Sequence, residues 1–172
     1  DLEQKKTILE SAVKVFRLLG VPEPRVAVLS AMEKENPKIP ESLDAGELSR
    51  LQSAGIIRNC IVEGPMALDL AVNPEACRLK NFQGKIRGDA DVLLTPDISA
   101  GNILGKSLVH LGGWSGGGLV VLRHRRAAGH SDRGSMVECG TRDVRSRRGR
   151  RSGRVCQRID RGVARLTAMN GN

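Results

Sequence analysis

Asp97, Asn102 and Lys106 are the residues whose types and spacing suggest chemistry, and all lie in the stretch Gly88–Leu108, GDADVLLTPDISAGNILGKSL. A carboxylate can accept a proton or order a loop, an amide can donate to a developing oxyanion, and an ammonium can offset phosphate charge. The stretch opens with the paired acids Asp89 and Asp91, then runs into the apolar segment Val92-Leu93-Leu94-Thr95. Pro96-Asp97 ends that run, and the small-residue turn Ser99-Ala100-Gly101-Asn102 leads into a second apolar segment carrying Lys106. An apolar run of this length before turn residues predicts a buried strand of a parallel sheet. The next segment reads as a helix beginning near Asn102. Ligands of open α/β sheets collect beyond the carboxyl ends of the strands, which is where these three residues are expected. A capped helix with a solvated lysine accounts for them equally well.

Gly105-Lys106-Ser107 looks like the end of a phosphate-cradling P-loop, but that motif needs four residues between its glycines. Gly101 and Gly105 enclose only Asn102, Ile103 and Leu104, too short a loop for the same nest of amides, so the spacing argues against a nucleotide triphosphatase. Cys60, Cys77, Cys139 and Cys156 have no CxxC spacing and no histidine at zinc-site distance, which suggests reduced, inert thiols. His110, His124 and His130 have no partner for triad or metal chemistry, and Trp114 reads as a packing residue.

The elements that must position these residues follow from periodicity. Leu2 to Leu19 predicts a helix with Ile8, Leu9, Ala12, Val13, Phe16 and Leu19 on one face, stopped by Gly20 and Pro22. Arg25–Ser30 reads as a buried strand and Glu33–Pro40 as a loop, its two prolines counting against helix. Asp44 is then expected to cap a second helix, with Glu47 completing a capping box and Gly55 ending it. Ile56–Val62 supplies another strand, Asn73-Pro74-Glu75 starts a third helix, and Gly117–Val121 suggests a last strand after a flexible turn at Gly112–Gly118. The order α-β-α-β-α-β-α-β argues for an α/β fold, a mostly parallel sheet with helices on both faces. With 172 residues there is length for one domain with a sizeable core, which must be aliphatic because aromatics make up only 2%. No apolar run approaches a membrane span, and the charged start Asp1–Lys6 is no secretory signal, so a cytoplasmic chain is expected; it does not begin with Met, so further sequence upstream is an expectation.

Several stretches resemble one family. GDADVLLTPDISAGNILGKSL is similar to the GDADxLLxPDxxxGNxxxKxL stretch of the phosphate acetyl/butyryltransferase family. Val26-Ala27-Val28-Leu29-Ser30-Ala31 with Glu33, Asn36-Pro37-Lys38 and Pro40 resembles its VAxLxAxExxNPKxP stretch. Cys60–Pro65 with Leu68-Asp69 resembles its xxVDGPxxxD segment, with Glu63 in place of the usual Asp. Gly105 stands where a bulky residue is common. The resemblance runs from Asp1 to about Val121, and the N-terminal half of the family has no counterpart here. It implies a three-layer α/β/α fold of the isocitrate/isopropylmalate dehydrogenase kind, present in part. It also implies transfer of an acetyl or butyryl group between coenzyme A and inorganic phosphate, with a coenzyme A thioester as substrate and neither a metal nor a bound cofactor. Catalytic roles are implied for Asp97, Asn102 and Lys106, and substrate-binding positions at Glu63, Gly64, Pro65, Asp69 and Gly101. An incomplete domain would leave apolar surface exposed, so self-association into a homo-oligomer is expected.

Two kinds of sequence meet near Val121. Residues 1–120 carry 14 Lys plus Arg against 15 Asp plus Glu, whereas residues 121–172 carry 14 Arg, no Lys and four acids. The family's TSRAD stretch, whose serine and arginine are implicated in substrate binding and catalysis, is absent, and Leu122–Arg133 shows neither helical nor strand period. Residues 122–172 are therefore expected to be a non-homologous, disordered tail, read as family sequence translated in the wrong frame. Its arginines would bind nucleic acid only non-specifically, through phosphate charge.

Overall fold

The computed structural model describes residues 1–121 and 135–142, with side chains as far as Trp114. Helix α1 spans Leu2–Leu18, as its periodicity predicts, and buries Leu9, Ala12, Val13 and Phe16. Asp1 caps it by accepting from the Gln4 amide, and Gly20 follows in the left-handed region at φ +89. The strands β1 (Arg25–Leu29), β2 (Ile61–Met66) and β3 (Val92–Leu94) form a parallel sheet in the order β2-β1-β3. Helix α2 (Pro40–Ser53) connects β1 to β2, the short helices α3 (Leu68–Val72) and α4 (Pro74–Leu79) connect β2 to β3, and α5 (Ile98–His110) follows β3.

The two-residue period of the strands divides the core between the two faces of the sheet. On one face Val26 and Val28 of β1, Val62 of β2 and Leu94 of β3 pack with Leu9 and Val13 of α1 and with Ala45 and Leu48 of α2. On the other, Ala27 and Leu29, Met66 and Leu93 meet Leu70 and Ala71 of α3, Cys77 of α4, Ile86, and Leu104 of α5. Fully buried side chains such as Leu9 and Leu48 each contribute about 1.5–3 kcal/mol. This is the α/β arrangement with helices on both faces that the alternation of elements predicts.

Four boundaries depart from the sequence-based expectation. Helix α2 begins at Pro40, a turn before Asp44, because proline is well suited to the first helical position, where no amide bond is lost. Asp44 therefore caps nothing and accepts from Lys5 at 2.7 Å, tying α2 to α1, while Glu47 pairs with Arg50. Strand β2 begins at Ile61; the amides of Ile56 and Ile57 still bond the Leu51 carbonyl, closing the end of α2. Helix α5 begins at Ile98, a turn before Asn102. Finally, the last strand is longer than expected: β4 (Trp114–Val121) takes in most of the glycine run and pairs antiparallel with β5 (Ser135–Arg142) in a separate two-stranded sheet. β5 lies within the segment expected to be without structure. The remaining residues of that segment, 122–134 and 143–172, lie outside those described.

Candidate active site at the carboxyl edge of the sheet

Strand order β2-β1-β3 makes the carboxyl end of β1 a point of divergence. The chain leaving β1 turns to α2 on one face, while the chains leaving β2 and β3 turn to α3 and α5 on the other. Crevices that take ligands in open α/β sheets form where neighbouring connections part in this way. Ser30, the first residue beyond β1, stands at this strand end: its amide donates to the Met66 carbonyl at 2.9 Å, it is 8% exposed, and its hydroxyl has no partner among the described residues. Ser30 carried no chemical signal in the sequence. Only the burial of an unsatisfied hydroxyl at the sheet edge marks it.

Three residues beyond Ser30 and three beyond Met66, the carboxylates of Glu33 and Asp69 converge on Lys80 at the end of α4, with Nζ–O distances of 3.4 and 3.0 Å. The Lys80 bond holds the Asp69 carboxyl below its usual range, and the same bond raises the ammonium. Asp69 also accepts from the Leu70 amide at 3.0 Å. Asp69 thus reaches the carboxyl edge as expected, but as half of an ion pair. Lys80 is a second residue missed from sequence, since nothing in the spacing of a lone lysine shows which carboxylates it will meet.

Glu63, Gly64 and Pro65 lie inside β2, not beyond it. The Glu63 carboxylate accepts from the Ile86 amide and so braces the loop before β3. Gly64 stands where β1 comes too close for a side chain, and its carbonyl accepts from Ser49 of α2 at 2.9 Å. These two contacts are structural, and Pro65 follows Gly64 through a cis peptide.

At β3 the edge continues through Thr95 and Asp97. Asp97 is the N-cap of α5, accepting from the Ala100 amide at 2.8 Å, while the Thr95 hydroxyl donates to the Asp97 carbonyl at 3.1 Å. A Cβ on Gly101 would come within 2.8 Å of that hydroxyl, so glycine lets α5 lie close against the strand end. Asn102 and Lys106 are exposed, one turn apart on the outer face of α5, and His110 continues the stripe one turn further. The structure thus separates two groups that the sequence placed together: Asp97 and Gly101 shape the helix start, whereas Asn102 and Lys106 face outward along the helix. None of α5 is fully buried, and Ile98 and Ile103 are 81% and 67% exposed.

The opening acids of the motif lie at the far end of the sheet. Asp91 accepts from the Arg25 amide at 2.9 Å and Asp89 pairs with the Arg25 guanidinium at 3.1 Å, clamping β3 to the start of β1. Similarly, the Asn36 amide donates to the buried Ser42 hydroxyl at 2.9 Å and the Asn36 side chain accepts from Lys38, so the Asn-Pro-Lys segment folds its own loop. Among the described residues no group of three or more His, Cys, Asp or Glu could hold a metal. No helix among them is long and apolar enough to cross a membrane.

The sequence matches the family described as phosphate acetyl/butaryl transferase over residues 1–138. The chain belongs to the phosphate acetyl/butyryltransferase family. It is 40% identical over 121 residues to the phosphate butyryltransferase of Clostridium acetobutylicum, covering 70% of this chain and 40% of that protein. It is 46% identical over 110 residues to the phosphate acetyltransferase of Thermotoga maritima, covering 64% of this chain and 37% of that protein. A crystal structure of a branched-chain phosphotransacylase from Enterococcus faecalis V583 superposes with a TM-score of 0.61 at 40% identity, over 66% of this chain and 40% of that one. The chain therefore spans about two fifths of the length of these acyltransferases. The family match in this frame runs past Val121 and into β5.

Proposed function

We propose that the chain supplies one wall of an acyltransferase site at which an acetyl or butyryl group passes between coenzyme A and inorganic phosphate. The observation that carries this reading is the 40% identity to a phosphotransacylase over a superposable sheet, joined to the polar edge built by all three strand ends. In that reaction a phosphate oxygen attacks the thioester carbonyl carbon, the C–S bond breaks, and the leaving thiolate takes up a proton. Asn102 and Lys106, exposed on the outer face of α5, supply an amide donor and a positive charge to anionic groups of the substrates. Asp97 orders the helix start, its carboxylate receiving the Ala100 amide through one oxygen.

The opposite wall of such a site comes from sequence outside this chain's family match, which covers two fifths of the relatives. The chain alone is accordingly expected to bind coenzyme A but to form acyl phosphate no faster than background. Titrating the isotopically labelled chain with coenzyme A should produce saturable amide shifts along α5 that Asn102→Ala and Lys106→Ala weaken. An α5 that does not respond to coenzyme A would refute the reading; acyl-phosphate turnover on the order of 1–10³ per second would show that the second wall is not needed.

A further inference from the structure

The crevice at the carboxyl end of β1 holds two features that the reading above does not use: the unpartnered Ser30 hydroxyl and the Glu33–Lys80–Asp69 cluster. A buried hydroxyl without a partner is costly, and such groups in native folds mark places completed by something else. Ser30 is 8% exposed and its hydroxyl makes no hydrogen bond among the described residues. With no bond to fix χ1, the side chain can exchange between staggered rotamers, one route by which the hydroxyl reaches the opening of the crevice.

The charges bordering the crevice decide what chemistry suits it. The segment after β1 brings Glu33, the segment after β2 brings Asp69, and the segment after β3 brings Asp97; among the described residues Lys80 is the cation joined to Glu33 and Asp69. Within the Glu33–Lys80–Asp69 cluster two carboxylates stand against one ammonium, a net negative charge. Lys80 is already held by two of the carboxylates, so it has little positive potential to offer a further anion. A phosphate would have to displace a carboxylate and face the others. A neutral hydrogen-bonding group meets no such penalty.

We propose that Ser30 contacts the neutral pantetheine arm of the coenzyme A thioester, its hydroxyl donating to an amide carbonyl of that arm, with Lys80 tying together the two segments that flank it. This inference rests on the acyltransferase reading and divides the substrate within it. The anionic end lies along Asn102 and Lys106 on the outer face of α5, and the uncharged arm enters beside β1.

The test uses the labelled full chain titrated with pantetheine, with inorganic phosphate and with coenzyme A, in parallel with Ser30→Ala. Pantetheine should give saturable shifts at the amides of Ser30, Ala31 and Ala67, whereas phosphate at equal ionic strength should leave them unmoved. Loss of one hydrogen bond should weaken pantetheine binding in Ser30→Ala about threefold to tenfold, with a melting temperature equal to or above that of the parent because no native bond is removed. Pantetheine shifts that Ser30→Ala leaves unchanged, or phosphate shifts at Ser30, would overturn the assignment. If coenzyme A moves α5 while pantetheine leaves Ser30 unaffected, this inference fails and the acyltransferase reading stands. If neither ligand moves either region, both fail.

Discussion

Replacing Gly64 with alanine separates a structural glycine from a substrate-binding one. An added Cβ would lie 2.7 Å from Val28 Cβ, 2.8 Å from the Val28 carbonyl oxygen and 3.2 Å from Ala45 Cβ. The closest carbon–carbon approach is about 1 Å inside the 3.5–4.0 Å optimum. Two of the obstacles belong to β1, the central strand that carries both neighbours, and the third to α2. Neither element can retreat without opening the core that contains Val28 and Ala45. Overpacking of this kind costs about 1–3 kcal/mol, and a rigid backbone oxygen among the obstacles puts Gly64→Ala at the upper end, about 2–3 kcal/mol. For a chain of 172 residues that corresponds to a fall of roughly 4–12 °C in melting temperature, read by thermal and urea unfolding followed by circular dichroism. Gly55→Ala is the control: it meets nothing within 4 Å and sits at φ +72, so only the left-handed backbone cost of about 1–2 kcal/mol applies. A Gly64→Ala protein as stable as its parent, or one losing less than Gly55→Ala, would refute the packing argument and restore a binding role to the glycine.

Glu63→Ala should cost about 1–3 kcal/mol by stranding a buried amide and should speed hydrogen exchange at Ile86, whose amide Glu63 receives; Glu63→Asp, with a shorter arm, should fall between. Burial first, with the charges of Glu23 and Glu10 adding to it, pushes the Cys60 thiol up to about 11. Because the folded value lies above that of the unfolded thiol, its contribution is complete below the unfolded pKa of about 8.5 and is lost as pH rises towards about 11. Alkaline unfolding that is as steep in Cys60→Ala as in the parent would contradict this. Any nucleic-acid binding should be independent of sequence, fall steeply with salt and vanish on removal of residues 122–172, whose 14 arginines can only neutralise phosphates; binding that survives the deletion or high salt would disprove it. Translating the gene in all three frames should yield, downstream of Val121, an apolar strand followed by an arginine-bearing loop. If no other frame does, the frame-change reading is wrong, and the family match that continues to residue 138 is then the true continuation.

Local pattern alone was enough for what local energetics decide. The face of α1, the buried apolar run of β1 and the short run Val92–Leu94 each appear in the structure where the apolar pattern puts them, because burial of apolar side chains dominates the choice of conformation. The ordered motifs GDAD, Asn-Pro-Lys and Glu-Gly-Pro pointed to the right family. Their roles were not legible, because each role depends on a partner distant in sequence: Asp91 on Arg25, Glu63 on Ile86, Gly64 on Val28. The helices start at Pro40 and Ile98, one turn before the local caps that Asp44 and Asn102 offer, since tertiary packing chooses between adjacent turns. The crevice itself belongs wholly to the tertiary structure. Strand order β2-β1-β3 sends neighbouring connections to opposite faces, and that divergence, invisible in any local window, is what brings Ser30, Glu33, Asp69 and Lys80 to one edge.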